Sequence, residues 1–182
     1  MSEEQNPPRD ETLRKIVQAN RIAIESDVAN AKVAFRVQGT GEDQVATTVR
    51  TARHTATVDE PDALGGRDTA LNPVEYALAA LASCQVVTYR FWAAKLGIQV
   101  DEVRVDAEGD LDLRGFFGLD GSIRSGFTEV RLQVTLDGPE PAQRYADLQQ
   151  AVDDHCPVLD LFGHTTPVRT ELKLAGGGRA AA

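Results

Sequence analysis

The sequence lacks an excess of positive charge. Among its 182 residues, 19 are Lys or Arg and 28 are Asp or Glu, which gives a formal net charge of −9. Nucleic acids and anionic membranes both favour basic patches, and no run of Lys and Arg interrupts this acidic balance. The composition therefore predicts no nucleic acid and no membrane among the partners of this protein.

A long hydrophobic run is also missing. The N-terminal residues, MSEEQNPPRDE, are polar and acidic, without the hydrophobic region of a secretory signal. The most apolar stretch, residues 72–95, is too rich in alanine and too often interrupted to span a membrane. We therefore expect a cytoplasmic protein.

Cysteine is scarce, because the chain has only Cys84 and Cys156, which lie 72 residues apart. This spacing excludes a CxxC redox motif and a zinc ribbon. Without a secretory signal, two cysteines are more often catalytic, redox-active or metal-bound than joined in a structural disulfide. A zinc site would need both cysteines and two of the three histidines, and no ligand spacing supports one. We predict neither a metal nor a cofactor. The histidines are His54, His155 and His164.

The remaining pattern predicts one domain over residues 10–174, between loose tails at residues 1–9 and 175–182. Leu13, Ile16, Val17, Ala19 and Ile22 recur at helical spacing and indicate an N-terminal helix over residues 10–25, appended to the domain. We find neither an internal repeat nor a second domain.

Alternating apolar residues and Gly- or Pro-containing breaks predict the strands and the later helices. Strands and helices do not alternate as regular βαβ units, so the predicted class is α+β, with a mostly antiparallel sheet packed on the helices. The predicted strands cover residues 32–38, 44–58, 98–113, 127–136 and 167–174, and the later helices cover residues 141–156 and 157–162.

Residues 72–95 predict a long central helix. Asn72 is suited to the N-cap, Pro73 to the first helical position, and Glu75 to the third, where its carboxylate completes a capping box. Few residues between Glu75 and Ala94 are polar, and a helix that is apolar on most sides is buried on most sides.

Both cysteines fall on apolar helix faces, so both are expected to point into one core and could meet there. Cys156 precedes Pro157 at a predicted helix start, where the backbone amides favour a thiolate. Cys84 lies in mid-helix, where burial alone raises its pKa, so activation requires a cation from elsewhere. The alternative is that each cysteine is a small buried hydrophobe. The candidate cations are Arg36, Arg50, Arg53 and Arg67.

The other polar candidates are explained without a direct role at the Cys84 thiol. Nine residues at about 100° each place Glu75 on the helix face opposite Cys84, so Glu75 could act on the thiol only through a bridging arginine. His54 is expected on a strand facing solvent. His155 is adjacent to Cys156, but neighbours on a helix point about 100° apart.

The segments NPVEYALAALASC and HCPVLDLFGHTTPV, in this order, resemble the OsmC/organic hydroperoxide resistance family over about residues 32–174. DEPDALGGRD before the helix and DLRGFFGLDG after it are similar to its OsmC-like branch. The resemblance implies an OsmC-like α+β fold, in which mostly antiparallel sheets wrap around long central helices in an intertwined homodimer.

The resemblance also implies thiol peroxidase chemistry in oxidative stress defence. Cys84 would attack an organic hydroperoxide and become a sulfenic acid, and Cys156 would resolve it as a disulfide. A dithiol reductant such as a lipoylated protein would restore both thiols. The family's arginine–glutamate pair has only approximate counterparts. Position 74, where the family has glutamate, is Val74, with Glu75 one residue later. The arginine position falls near Leu64, three residues before Arg67.

Two other classes of function remain open. A non-catalytic OsmC-like dimer could bind a small apolar ligand in an interface pocket, with both cysteines merely buried. A hot-dog thioesterase also wraps a sheet around a central helix, but it has no use for two cysteines.

Overall fold

The structure, a computed structural model, describes residues 6–174. Within these residues the chain forms five α-helices and five β-strands, together with short 3-10 turns at Val28–Ala31 and Asp62–Leu64. The helices are α1 (Asn6–Ser26), α2 (Pro73–Leu96), α3 (Leu113–Phe116), α4 (Ala142–Asp153) and α5 (Pro157–Gly163). The strands are β1 (Gln38–Gly41), β2 (Thr47–Arg50), β3 (Thr55–Val58), β4 (Glu102–Asp110) and β5 (Glu129–Asp137).

Helix α1 is longer than predicted, because it begins at Asn6 and so includes residues 6–9, which the sequence assigned to a tail. Its Arg9 guanidinium donates a hydrogen bond of 2.8 Å to the Val100 carbonyl, which ties α1 to the segment that precedes β4. The other residues of the predicted tails, 1–5 and 175–182, lie outside the described residues.

Helix α2 confirms the predicted caps. The Asn72 side chain accepts a hydrogen bond from the Glu75 amide, and the Glu75 carboxylate accepts one from the Asn72 amide, each at 2.9 Å. Gly97 ends the helix in the left-handed conformation that glycine adopts without strain. One face of α2 is buried, but Val87 on another face is 53% exposed. In the single chain, α2 is therefore covered on fewer sides than its composition predicts.

Strands β4 and β5 form an antiparallel ribbon whose alternation matches the prediction. Their inner face carries half-buried apolar residues such as Val103, Val105 and Leu132, and β4 packs on α2. The outer face is charged: Arg131 forms ion pairs with Glu108, Asp110 and Glu129. The ribbon therefore gives α2 an apolar cover and presents an acidic surface to solvent.

The N-terminal sheet differs from the prediction, which placed one strand over residues 44–58. The Thr51 hydroxyl accepts hydrogen bonds from the amides of Arg53 and His54, which closes a tight turn between β2 and β3. Strand β1 includes Gly39 and Gly41 of the expected GTGED loop and pairs antiparallel with β2. The sheet order is β1-β2-β3.

Two predicted strands are wrong for the single chain. Residues 32–37 and 167–174 are irregular, although both alternate apolar and polar side chains. The apolar residues of both segments point into solvent: Phe35 is 90% exposed and Leu172 is 85% exposed. A strand requires hydrogen bonds from a neighbour, and neither segment pairs with a described strand.

The core lies where α2 and α4 meet the start of β4. Burial of apolar area stabilises this region. The fully or nearly fully buried members are Tyr89, Ala93, Ile98, Val100, Leu148 and Val152. Among residues 6–174, no helix combines the length and the apolarity that a bilayer crossing would require.

Candidate functional site

The junction between α4 and α5 places Cys156 against the middle of α2. Helix α4 ends at Asp153, and the Cys156 amide then donates to the Val152 carbonyl at 2.9 Å. Cys156 is the N-cap of α5, with Pro157 at the first helical position. The predicted helix boundary at this cysteine is therefore present, although α4 ends three residues earlier.

The structure brings Cys84 and Cys156 together, as the apolar helix faces suggested. Both are free thiols, and they are within hydrogen-bonding distance of each other. Cys156 is only 1% exposed, whereas Cys84 is half-buried. A reagent would therefore reach Cys84 more easily than Cys156. Two cysteines in contact, one of them accessible, are the minimum that a reversible thiol–disulfide cycle requires.

The surroundings of Cys84 act on its pKa in opposite directions, and the net shift is upward. Burial is the largest cause and raises the pKa of the Cys84 thiol, because the charged form loses solvation. The backbone amide of Val158 donates to the sulfur and opposes this shift. Contact with the Cys156 thiol raises the pKa further, and the Thr88 hydroxyl lowers it.

The first turn of α5, which follows Cys156 in the chain, therefore lowers the pKa of Cys84 through its Val158 amide. From sequence, the amides of α5 were expected to favour a thiolate at Cys156, whereas Cys84 was expected to lack such help from its own helix. The Val158 amide belongs to α5 but is directed at the sulfur on α2. Sequence reasoning missed this contact, since only the packing of α5 on α2 creates it.

Glu75 lies away from the thiol contact, at the exposed first turn of α2. Both its backbone amide and its carboxylate take part in the capping box with Asn72. This arrangement satisfies orphan amides at the helix start, as the sequence predicted.

Two of the four candidate arginines, Arg67 and Arg50, make other contacts in the single chain. The Arg67 guanidinium forms an ion pair with Asp43 at 2.9 Å, and the Arg67 amide donates to Asp59 at 3.1 Å. Arg50 is exposed at the end of β2, where it faces Gln38 and Thr55 in the sheet. Within residues 6–174, no arginine is among the groups that shift the pKa of Cys84.

The described residues contain no metal-binding cluster of His, Cys, Asp or Glu side chains. The ring of His155 lies 4.1 Å from that of Trp92, and its Nδ1 is 2.8 Å from the Ala151 carbonyl oxygen. His164 forms a contact of 2.9 Å with Asp160. The four-ligand zinc arrangement considered from sequence is not assembled in these residues.

Helix α2 also carries two buried polar side chains that were not predicted from the sequence. Gln85 and Tyr89 are fully buried one helical turn apart. The Gln85 amide and the Tyr89 hydroxyl have no hydrogen-bond partner among the described residues. Burial raises the pKa of Tyr89 to about 12, with a smaller contribution from Asp153. The buried side of α2 is therefore more polar than an ordinary core face.

An apolar cleft of about 460 Å³ lies between the loop after β3 and the loop after β4. Phe116 and Phe117 line one side of the cleft and are 63% and 54% exposed. The other lining residues are Val45, Glu60, Ala63, Leu64 and Gly65.

The fold and this site define a class: a small α+β protein in which a free cysteine on a long central helix meets a second free cysteine at the start of a following helix. A family model for OsmC-like protein matches residues 66–171, which is more than half of the chain and includes both cysteines. The chain therefore belongs to the OsmC-like protein family. Among curated proteins, no sequence matches it.

Solved structures confirm the OsmC-like fold. An OsmC-like protein from Mycoplasma pneumoniae aligns with a TM-score of 0.62 and 15% identity, over 72% of this chain and 89% of that one. An organic hydroperoxide resistance protein OsmC from Legionella pneumophila aligns with a TM-score of 0.56 and 19% identity, over 71% of this chain and 89% of that one. An organic hydroperoxide resistance protein from Elizabethkingia anophelis aligns with a TM-score of 0.56 and 21% identity, over 71% of this chain and 88% of that one. At these identities, the likeness supports the fold alone.

Proposed function

We propose that this protein is a homodimeric thiol peroxidase that reduces organic hydroperoxides in a two-cysteine cycle. The observation that carries this proposal is the contact between the accessible Cys84 and the buried Cys156. Membership of the OsmC-like family and the names of two similar structures support the choice of hydroperoxide as substrate. Its free thiols suit a reducing compartment such as the cytoplasm.

In the proposed cycle, the Cys84 thiolate attacks the terminal oxygen of the hydroperoxide. A sulfur–oxygen bond forms, the oxygen–oxygen bond breaks, and the alkoxide takes up a proton to leave as an alcohol. The Cys156 thiolate then attacks the Cys84 sulfur, and the sulfenic hydroxyl takes up a proton and leaves as water. An external dithiol, for which a lipoylated protein is our candidate, reduces the disulfide by thiol–disulfide exchange. No step requires a bound cofactor.

The unpaired apolar segments support a homodimer. Residues 32–37 and 167–174 alternate as strands do, yet their apolar side chains are exposed. Val87 leaves an apolar side of α2 uncovered as well. We propose that a second copy of this chain pairs with both segments and covers α2, because exposed apolar surface of this extent is typical of an interface.

Arg50, Arg67 and Glu75 are our candidates for assisting the reaction in that dimer. Arg50 is the strongest of these candidates, because it faces Gln38 in the sheet. Gln38 directly follows the unpaired residues 32–37, which belong to the proposed interface. Arg67 is already paired with Asp43, and Glu75 with Asn72. Substitution of each by alanine, with the pKa of Cys84 as the measurement, ranks them. If Arg50 is the activating residue, its removal raises the pKa of Cys84 and removal of Arg67 does not.

Stopped-flow reduction of cumene hydroperoxide, measured over a pH range, tests the proposal. Only the thiolate reacts, and burial raises the pKa of Cys84, so the rate constant should rise about tenfold per pH unit below that pKa. Cys84→Ser should abolish the reaction, whereas Cys156→Ser should keep the first turnover. Equal rates for the wild type and Cys84→Ser would reject the peroxidase. A rate that is independent of pH would reject only the raised pKa.

A second candidate function is supported by the apolar cleft beside Phe116 and Phe117. In this alternative, the dimer is not catalytic and binds a small apolar ligand in that cleft, with both cysteines only buried. Slow and incomplete labelling of both thiols in the native protein, together with no hydroperoxide consumption, would favour it over the peroxidase.

A further inference from the structure

Thr88 lies one helical turn after Cys84 on the buried side of α2. It is 7% exposed, and its hydroxyl donates a hydrogen bond of 2.8 Å to the Cys84 carbonyl. In an α-helix, residues i and i+4 lie on the same face, and the later side chain leans over the preceding turn. The Thr88 hydroxyl is thereby placed beside the Cys84 side chain.

The stability of α2 does not explain a threonine here. Threonine has a low helix propensity, and a hydroxyl bonded to the carbonyl four residues earlier slightly destabilises a helix. The Cys84 carbonyl already accepts the backbone hydrogen bond of the helix, so the hydroxyl is a second donor to it. Valine would fill the same volume without a buried polar group.

The Thr88 hydroxyl also acts on the Cys84 sulfur, since it is among the hydrogen-bonding groups that lower the pKa of this thiol. A hydroxyl has one proton, which can turn about the Cβ–Oγ bond but can be donated to only one acceptor at a time. The carbonyl oxygen of Cys84 and its sulfur therefore compete for this proton. A thiolate is the stronger acceptor, because hydrogen bonds to charged groups are roughly twice as strong as neutral ones.

We propose that Thr88 is a positioning residue for the Cys84 thiolate, its hydroxyl proton turning from the Cys84 carbonyl to the Cys84 sulfur once the thiol is deprotonated. The proposal rests on the proposed function in one respect, namely that Cys84 is the nucleophile. Two donors then hold the thiolate: the fixed amide of Val158 from α5, and the hydroxyl of Thr88 from α2 itself. Among the described residues, Cys156 is the titratable group that acts on Cys84.

Within residues 6–174 of the single chain, this pair of donors favours the thiolate without an arginine among the groups that act on it. The amide is fixed by α5 and faces the sulfur in both protonation states, but its hydrogen bond is stronger to the thiolate and therefore lowers the pKa of Cys84. The hydroxyl adds its stabilisation only after deprotonation, so its removal should change the acidity of Cys84 while the hydrogen bonds of the helix backbone remain.

The test measures the rate of Cys84 alkylation by iodoacetamide from about pH 6 to about pH 10, where thiolates react. Peptide mass spectrometry separates the Cys84 product from the Cys156 product. Thr88→Val should raise the pKa of Cys84 by about one unit, which means about tenfold less thiolate below both pKa values. Thr88→Ser, which keeps the hydroxyl, should stay within about 0.3 unit of the wild type.

Ser83→Ala is the matched control. The Ser83 hydroxyl also donates to a carbonyl of α2, that of Ala80 at 3.1 Å, but it is exposed. Its removal should leave the pKa of Cys84 unchanged. If Thr88→Val does not fold, comparing Thr88→Ser with Thr88→Ala isolates the same hydroxyl.

The proposal is overturned if loss of the hydroxyl leaves the pKa of Cys84 unchanged, or if Ser83→Ala shifts it equally. It is also overturned if Thr88→Ser shifts the pKa as much as Thr88→Val, because packing would then explain the effect. The measurement needs no hydroperoxide. A shift in Thr88→Val in a protein that reduces no hydroperoxide would support this inference and reject the proposed function alone.

Discussion

At the scale of single residues, Asp59 determines the shape of the loop that leads into α2. It is 3% exposed, and its carboxylate accepts hydrogen bonds from the amides of Glu60, Arg67 and Thr69 and from the Thr69 hydroxyl. The hydroxyl of Thr69 is the largest cause that lowers the pKa of Asp59 to about 2. A Cβ atom at Gly66 would lie 1.7 Å from the Glu60 carbonyl oxygen, so this closed loop also requires glycine.

Asp59 should make the protein sensitive to acid. Its pKa is about 2 in the folded state and about 3.9 in an unfolded chain, so its ionised form stabilises the fold above about pH 4. This stability is lost as the pH falls from about 4 to about 2. Asp59→Asn should lower the free energy of unfolding at pH 7 and weaken the pH dependence in that window, as measured by urea denaturation. Asp68→Asn in the same loop is the control. Equal acid sensitivity of wild type and Asp59→Asn would contradict the assignment.

At the scale of elements, the first turn of α2 has a capping box that explains why residue 75 is a glutamate. A glutamine at this position preserves the capping box, whereas an alanine removes it. Glu75→Gln should therefore leave the stability close to wild type, and its rate of hydroperoxide reduction tests separately whether Glu75 also assists the reaction. Glu75→Ala, like Asn72→Ala, should lower the free energy of unfolding by about 1 kcal/mol. A lower rate in Glu75→Gln with unchanged stability would instead assign Glu75 a role in the reaction.

The same elements show what the sequence could predict. Helix α2 and the β4–β5 ribbon were predicted well, because caps and alternation are local signals that the rest of the chain reinforces. The Thr51 turn was missed, since a threonine accepting two amides is not distinct from a strand threonine in sequence. Residues 32–37 and 167–174 alternate like strands, but they find no pairing partner among the described strands.

The candidate site was predictable only in part. Two apolar helix faces that were expected to share one core indicated that Cys84 and Cys156 could meet, and the structure places them together. The Val158 amide at Cys84, the buried Gln85 amide and the pairing of Arg67 with Asp43 depend on packing between distant segments. Sequence patterns describe which face is buried but not which atom it meets.

At the scale of the whole molecule, the exposed apolar segments predict a dimer. Light scattering should give twice the chain mass of 19.7 kDa. Leu172 is 85% exposed in the single chain, so Leu172→Glu should shift the mass toward the monomer. The neighbouring Lys173, on the alternate face of the same segment, provides the control Lys173→Glu. A wild-type protein that is monomeric at micromolar concentration would contradict the proposed interface.

The central claim is that Cys84 and Cys156 form a redox pair, and intact-mass spectrometry after one equivalent of cumene hydroperoxide tests it most directly. The wild type should lose about 2 Da as a disulfide forms. Cys156→Ser should gain about 16 Da as a Cys84 sulfenic acid that dimedone traps. Cys84→Ser should remain unchanged. A wild type that consumes no peroxide, or a Cys84→Ser variant that oxidises at the same rate, would contradict the two-cysteine mechanism.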